Sequence, residues 1–357
     1  MKKKIALLLA ALIFSGIVLF CLQALLVPKY MDNREGAMVS EYYANAGNND
    51  VIFIGDCEVY ENFSPITLWE EYGITSYIRG SPQQLAWQSY YLMEETLKYE
   101  KPKVIVFNVL SLKYDTPDST KEQDQREEYN RMTIDGMRWS LSKWNAIGVS
   151  LSKDERKDPL FTYASYMLPI LRYHDRWSQL TAEDFQYWFT RDQVTDNGYL
   201  MQVGVKPKTD HPEPPGKIQP LAEKTNSMEY LRKMTELCKA NDVQLVLIKA
   251  PAVYPVWEGV WDKEIKAFAN ENDLAYVNML DYVEYMGIDW NTDTYDAGLH
   301  LNVYGAEKAS RWFGNFLKTY FEIPDRRTDT AISEVWEAKC ETYHARKKAM
   351  EDELNKE

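Results

Sequence analysis

Three residues far apart in the sequence carry the side chains that acyl transfer through a thiol requires. Cys57 supplies a nucleophile, His300 an imidazole that can take up its proton, and Asp296 a carboxylate for the second ring nitrogen. A thiol becomes strongly nucleophilic when a neighbouring base removes its proton, and that base keeps one tautomer when its other nitrogen has an acceptor. We interpret these residues as a candidate catalytic set, with Asp293 as an alternative to Asp296.

The tetrahedral intermediate of acyl transfer also needs hydrogen-bond donors for its oxyanion. The sequence offers the backbone N–H groups of Cys57 and Gly80 and the side-chain amide of Asn108. Each has a simpler interpretation, since a cysteine after a strand is often a small core residue and a strand-end asparagine often caps its own turn. Their shared position after predicted strands favours the catalytic interpretation.

Alternating strands and helices predict where these residues lie. Apolar, β-branched runs indicate strands and three-to-four spacing indicates helices. We predict strands at 51–54, 74–78, 104–109, 243–248 and 274–279, and helices at 83–99, 227–240, 261–271 and from an N-cap at Asn302. This order predicts an α/β fold, three-layer α/β/α, with a central parallel five-stranded sheet. Ligands bind at the carboxyl ends of such strands, where the candidate residues should meet.

Residues 111–225 interrupt the alternation and are rich in Trp and Tyr. We predict a mostly helical insertion in the α/β domain (51–323), closed by a Pro-rich passage that cannot be regular helix. In one interpretation, the polar and aromatic side chains of the insertion line the substrate cleft at the carboxyl ends of the strands. In the other, they form a packed aromatic core. The candidate substrate-binding residues are Arg131, Arg172, Arg176, Trp177 and, after the fourth strand, Lys249.

The last segment, 324–357, contains a charged helix from Ala331 onward with an apolar stripe through Trp336, Cys340 and Tyr343. Such a stripe packs on its own domain, or it binds a partner or a second copy of the chain.

An uncharged run from Ile5 to Val27 follows Lys2, Lys3 and Lys4 and is long enough to cross a bilayer as one helix. We predict a signal anchor at 1–28 with its lysines on the cytoplasmic side, followed by a polar tether at 29–50 and an extracytoplasmic domain. A cleaved signal peptide is the alternative. The three cysteines outside the run cannot all pair within one chain, so at least one is a free thiol or bridges another molecule.

Composition excludes several classes of protein. A chain of 357 residues that is 45% hydrophobic and 27% charged is not disordered. A net charge of -13 argues against a nucleic-acid partner. GxGxxG after a strand, GxxxxGK[ST] and HExxH do not occur, so we expect no cofactor and no metal site.

Four blocks of this sequence resemble the ordered blocks of SGNH/GDSL hydrolases: V-I-F-I-G-D-C at 51–57, Gly80, Asn108, and D-A-G-L-H-L-N-V-Y-G at 296–305. The resemblance covers 51–109 and 226–320. It implies a flavodoxin-like sheet, a nucleophile at position 57 and a catalytic histidine at position 300. Cys57 stands where the family usually has serine, and Ala297 where its aspartate usually lies.

With its N-terminal apolar segment the chain is also similar to the SGNH-like proteins that Gram-positive bacteria pair with a membrane-bound O-acyltransferase. We therefore predict an extracytoplasmic, membrane-anchored acyltransferase or esterase that acts on small O-acyl groups, such as acetyl, of a cell-surface glycan. The alternative is a non-catalytic SGNH-like scaffold that binds a surface glycan or docks a membrane O-acyltransferase.

Overall fold

The computed structural model describes residues 2–28, 34–114, 120–152, 162–186, 188–189, 196–210 and 218–356. A central sheet is formed by β1 (Val51–Gly55), β2 (Ser76–Gly80), β3 (Val104–Asn108), β4 (Gln244–Lys249) and β5 (Ala275–Asn278). All neighbouring strands are parallel, in the order β2-β1-β3-β4-β5. This is the flavodoxin-like order, so the predicted fold class is confirmed.

The helices, in chain order, are α1 (Lys2–Leu26), α2 (Arg34–Asn45), α3 (Cys57–Tyr60), α4 (Pro65–Tyr72), α5 (Ala86–Tyr99), α6 (Thr120–Ile134), α7 (Leu141–Ser152), α8 (Tyr163–Met167), α9 (Ile170–Tyr173), α10 (Ala182–Gln186), α11 (Thr225–Ala240), α12 (Gly259–Asn272), α13 (Val283–Met286), α14 (Val303–Tyr320) and α15 (Thr330–Leu354).

Helices cover both faces of the sheet. Val51 and Phe53 of β1 belong to a core with α4, α14 and α15, while Ile52 and Ile54 belong to a second core with α2, α5, α7, α11 and α12. Successive strand side chains point to opposite faces, so a strand buried on both faces is apolar throughout. This explains why the strands were recognisable as short continuous apolar runs.

Residues 34–45 were predicted to belong to a polar tether, but they form helix α2. Met38, Val39 and Tyr42 of this helix are fully buried. Tyr42 also donates a hydrogen bond of 2.6 Å to Glu100 Oε1. Three apolar side chains spaced for one face of a helix bury enough surface to dock this short polar segment on the sheet layer.

Part of the insertion belongs to the main core. Residues 196–209, here called the strap, run past the carboxyl edge of the sheet, and Tyr199, Leu200 and Met201 are buried in the first core. The strap has a turn at 196–199 and no regular secondary structure from 200 to 209. Most of the Pro-rich passage, 211–217, lies outside the described residues.

Helix α15 packs on its own domain. Trp336 stacks on Trp69 of α4 with ring centroids 5.2 Å apart. Tyr343 is fully buried and donates to Glu307 Oε1 at 2.9 Å. The apolar stripe therefore covers the chain's own core, in agreement with the first of its two interpretations.

Helix α1 is, among the described residues, the one long and apolar enough to cross a membrane, and its most apolar 18-residue window has a mean hydropathy of 2.9. Its last turn contacts the insertion, where Arg176 Nη1 donates to the carbonyl oxygens of Leu26 at 3.1 Å and Val27 at 3.2 Å. All four cysteines are free, and Cys238 and Cys340 are buried.

Candidate active site

Cys57 lies at the carboxyl edge of the sheet. β1 ends at Gly55, Asp56 is the N-cap of α3, and Cys57 is the first residue of that helix. Because strand and helix are joined by one residue, the thiol is held at the point where β1 ends, partly buried.

His300 lies in the loop between α13 and α14, and Asn302 holds the end of this loop. The Asn302 side chain caps α14 by accepting from the N–H groups of Tyr304 and Gly305, both at 3.2 Å. Its amide donates to the carbonyl oxygens of Gly204 and Thr292. The predicted N-cap thus also joins the strap to the histidine loop.

Asp296 contacts His300 twice. Its Oδ2 lies 2.6 Å from His300 Nδ1, and its Oδ1 accepts from the backbone N–H of His300 at 2.8 Å. Between them Ala297 and Gly298 have φ values of +70° and +100°. This left-handed turn, which is strained for alanine, folds the carboxylate back onto the ring from four residues away.

Asp293 has a different role. Its Oδ2 accepts from Lys308 Nζ and from the backbone N–H of Asp289, both at 2.7 Å. Asp293 therefore ties the loop to α14, and the carboxylate that contacts His300 is that of Asp296.

The Cys57 thiol and the His300 ring lie close enough for each to shift the other's pKa. Since Nδ1 of His300 is engaged by Asp296, Nε2 is the nitrogen left for the thiol. Burial raises the pKa of Cys57 to about 11, and the neighbouring His300, through its charge and its capacity to hydrogen-bond the thiolate, opposes the increase. The thiol is thus neutral at rest and needs a base to become a nucleophile.

The pKa of His300 is raised well above its usual value. Burial lowers it, but Cys57 and the hydrogen bond to Asp296 raise it, and Glu61 adds to that effect. Negative groups stabilise the imidazolium. His300 is therefore a stronger base than a free imidazole.

Glu61 is a site residue that the sequence analysis missed. Its Oε2 lies 3.7 Å from His300 Nδ1, and Tyr295 donates a hydrogen bond to the same oxygen. The Tyr295 and His300 rings are nearly parallel, with centroids 6.3 Å apart. Only their positions in the sequence could have identified these two residues: Glu61 follows Cys57 by one helical turn, and Tyr295 directly precedes Asp296.

Two of the proposed oxyanion donors, Cys57 and Gly80, lie near the carboxyl ends of the paired strands β1 and β2. The N–H of Cys57 lies in the first turn of α3, where backbone donors have no intrahelical acceptor. Gly80 ends β2 level with Gly55 in the sheet register. A Cβ at Gly80 would lie 2.7 Å from Cδ1 of Tyr60, so this position requires glycine.

Asn108, the third proposed donor, is committed elsewhere. Its Nδ2 donates to Asp56 Oδ1 at 3.2 Å and to Glu58 Oε2 at 3.0 Å. Its Oδ1 accepts from the backbone N–H of Ala250 at 3.1 Å. Both amide hydrogens are engaged in the core, which contradicts the predicted oxyanion role.

Lys249 belongs to the same buried network and does not face a substrate. Its Nζ donates to both carboxylate oxygens of Glu58, at 2.9 and 2.8 Å, and the lysine is fully buried. The prediction of a substrate-binding Lys249 is wrong, because a lysine at the end of an interior strand neutralises a buried carboxylate here. Burial and the Glu58 charge raise the pKa of neighbouring Asp56 to about 7.

The partners of the other predicted substrate-binding residues lie in the insertion and at the end of α1 rather than at Cys57 and His300. Arg131 is fully buried and pairs with Glu127 and Asp135, so its predicted role is wrong. Arg172 pairs with the same Glu127 within the insertion. Trp177 and Arg176 lie next to the end of α1, where Trp177 is 70% exposed.

No protein-family model matches the sequence, and no curated protein matches it. Among solved structures the chain is similar to a protein assigned as an acylhydrolase from Bacteroides fragilis, at 13% identity, 87% coverage of this chain, 100% coverage of that chain and a TM-score of 0.35. It is also similar to a GDSL-like lipase from Bacteroides thetaiotaomicron, at 14% identity, 80% and 99% coverage and a TM-score of 0.35. Overlaps this distant carry no information about the reaction.

Proposed function

We propose that this chain is a membrane-anchored, extracytoplasmic acyltransferase or esterase that works through an acyl-enzyme on Cys57. The observation that carries the proposal is the position of His300, which lies close enough to Cys57 for each to shift the other's pKa and has the Asp296 carboxylate 2.6 Å from its Nδ1. A nucleophile, a base and a carboxylate that orients the base form the minimal apparatus for acyl transfer.

In the first half-reaction the Cys57 Sγ attacks the ester carbonyl carbon while its proton passes to His300 Nε2. The N–H groups of Cys57 and Gly80 stabilise the oxyanion. The intermediate collapses to a thioester as the C–O bond breaks, and the leaving alkoxide takes the proton from His300. Asp296 and Glu61 stabilise the imidazolium between these transfers.

In the second half-reaction a hydroxyl group attacks the thioester carbonyl. His300 accepts the hydroxyl proton, the C–S bond breaks, and the thiolate recovers that proton from His300. Water as the acceptor gives hydrolysis, and a sugar hydroxyl gives transfer. Because a thioester is an activated acyl carrier, cysteine suits transfer to a second alcohol.

The substrate class follows from the proposed location. If α1 anchors the chain with Lys2, Lys3 and Lys4 on the cytoplasmic side, Cys57 faces the cell surface. For hydrolysis, the substrate we propose is a small O-acyl ester, such as an acetyl ester, of a surface glycan. For transfer, a hydroxyl group of that glycan is the acceptor, and the acyl donor is a soluble ester or a membrane-bound O-acyltransferase partner.

A non-catalytic, glycan-binding or acyltransferase-docking scaffold is the second candidate, and one observation favours it. Asn108 donates both amide hydrogens to Asp56 and Glu58, so only the backbone N–H groups of Cys57 and Gly80 remain as proposed oxyanion donors. In a scaffold the Cys57 to His300 contact has no turnover to support.

The deciding experiment is intact-mass measurement of the full chain in detergent after incubation with p-nitrophenyl acetate. We expect one acetyl adduct on the wild type and none on Cys57→Ala or His300→Ala. Cys238 and Cys340 are buried, so Cys238→Ala is a matched control that should keep the adduct. An adduct that persists in Cys57→Ala, or no adduct with any small ester, would support the scaffold instead.

A further inference from the structure

Large apolar side chains are exposed around the end of α1. In the external part that the structure describes, every exposed Trp and Phe belongs to the insertion. Six exposed side chains, which lie on the elements that contact α1 or within three residues of them, form what we call the 168–189 patch: Leu168, Leu171, Trp177, Phe185, Trp188 and Phe189. Soluble surfaces carry such residues singly, whereas a concentration of them marks contact with another molecule or a membrane.

The patch is fixed to the end of α1. Helices α9 and α10 and the intervening 3₁₀ turn His174–Gln179 all contact α1. Arg176 in that turn donates to the carbonyl oxygens of Leu26 and Val27 and, through Nη2, to Asp184 Oδ1 at 2.8 Å. It satisfies carbonyls that a helix end leaves without partners. The neighbours of Arg176 in sequence, Trp177 included, are therefore held at the depth where α1 ends.

The position of the patch at the end of α1 indicates what the patch contacts. An apolar helix that spans a bilayer ends at the boundary between hydrocarbon and head groups, where Trp rings accumulate and short apolar segments lie flat. We propose that the 168–189 patch lies in the lipid interface of the membrane that α1 spans, so that the external domain rests on the bilayer. This rests on the proposed anchoring and is independent of the acyl-enzyme.

The chemistry of the patch favours neutral lipid. Between Tyr163 and Tyr173 the sequence contains a single charged residue, Arg172, and Glu127 neutralises it. Farther along, Arg176 pairs with Asp184, and Asp175 and Glu183 are acidic. Contact is therefore made by apolar rings and not by a basic cluster that would require anionic head groups.

The test uses the full chain in nanodiscs of phosphatidylcholine whose acyl chains are brominated near the head group, which quenches tryptophan fluorescence on contact. Helix α1 contains no tryptophan, so the anchor alone gives no signal. We expect strong quenching of the wild type and loss of most of it in Trp177→Phe/Trp188→Phe. Both rings are exposed, so the domain should fold unchanged.

The matched control removes two half-buried indoles from the sheet layers, Trp261→Phe/Trp312→Phe, and should keep the quenching. Equal quenching in the patch variant and the wild type would overturn lipid contact and leave the patch to a membrane protein. Failure of the chain to enter nanodiscs would overturn it together with the anchor. The acetyl-adduct assay reads out the acyl-enzyme separately from either result.

Discussion

At the scale of single residues, the environment of His300 sets the pH range in which the proposed reaction can occur. Two carboxylates surround its Nδ1, Asp296 at 2.6 Å and Glu61 at 3.7 Å, and both favour the imidazolium. The base must be neutral to accept the Cys57 proton. The same groups that strengthen the base therefore delay its deprotonation to higher pH.

This sets the pH dependence of acylation. Because the pKa of His300 lies above its ordinary value of 6.5, the rate should rise with pH through a limb above 6.5. Asp296→Asn should move that limb to lower pH and slow acylation by about 10²–10⁴-fold, since the ring loses its orienting acceptor. Single-turnover acylation with p-nitrophenyl acetate across pH measures both effects.

Glu61→Gln is the graded control, because its carboxylate is farther away, and should move the limb less in the same direction. Asp293→Asn, which removes a carboxylate bound to Lys308, should leave the limb in place. A limb that does not move in Asp296→Asn would contradict the assignment of Asp296.

The buried pair of Lys249 and Glu58 makes a second prediction at this scale. Both side chains are essentially inaccessible. Lys249→Met should leave Glu58 as an unpaired buried charge and lower the free energy of unfolding by about 3–5 kcal/mol. Thermal unfolding of the full chain in detergent measures this loss. Glu58→Gln/Lys249→Met should recover much of it, and a double variant as unstable as Lys249→Met would contradict the pairing.

At the scale of elements, α15 is a structural part of the domain. Trp336 stacks on Trp69, and Lys339 donates to Asn45 Oδ1 in α2 at 3.1 Å and to Asn197 Oδ1 in the strap at 2.6 Å. Helix α15 therefore contacts the first core, α2 and the strap.

Trp336→Ala should lower the free energy of unfolding by about 3–5 kcal/mol, because it removes a buried ring and leaves a cavity. Chemical unfolding of the full chain in micelles, followed by circular dichroism, measures this. Val335, its neighbour, is 55% exposed, so Val335→Ala should change the stability by less than about 0.5 kcal/mol. Equal effects of the two substitutions would mean that the stripe serves a partner instead.

The sequence predicted the elements whose signals are local. Apolar runs identified the strands, and Asn302 identified the start of α14, because a cap is formed by residues next to it. The commitment of Asn108 to Asp56 and Glu58 could not be predicted, since it depends on groups from three separate segments. The strap was missed for a related reason, because an irregular segment has no periodicity to detect.

At the scale of the whole molecule, the charges that flank α1 predict which side of a membrane the proposed site faces. Lys2, Lys3 and Lys4 lie at one end of the apolar helix, and the domain with Cys57 lies at the other. Basic residues on a short N-terminal segment keep that end in the cytoplasm, and the net-acidic domain does not oppose this.

Fusions after Glu357 test the orientation. Alkaline phosphatase, which folds outside the cytoplasm, should be active there, and green fluorescent protein exported in the same place should be dark. Replacing Lys2, Lys3 and Lys4 by glutamine should weaken the bias and give both signals, since the orienting charge is lost. Retention of the chain in carbonate-washed membranes separates an anchor from a cleaved signal peptide. A bright, phosphatase-inactive wild-type fusion would place Cys57 in the cytoplasm, away from any surface glycan, and the substrate would then have to be an intracellular ester.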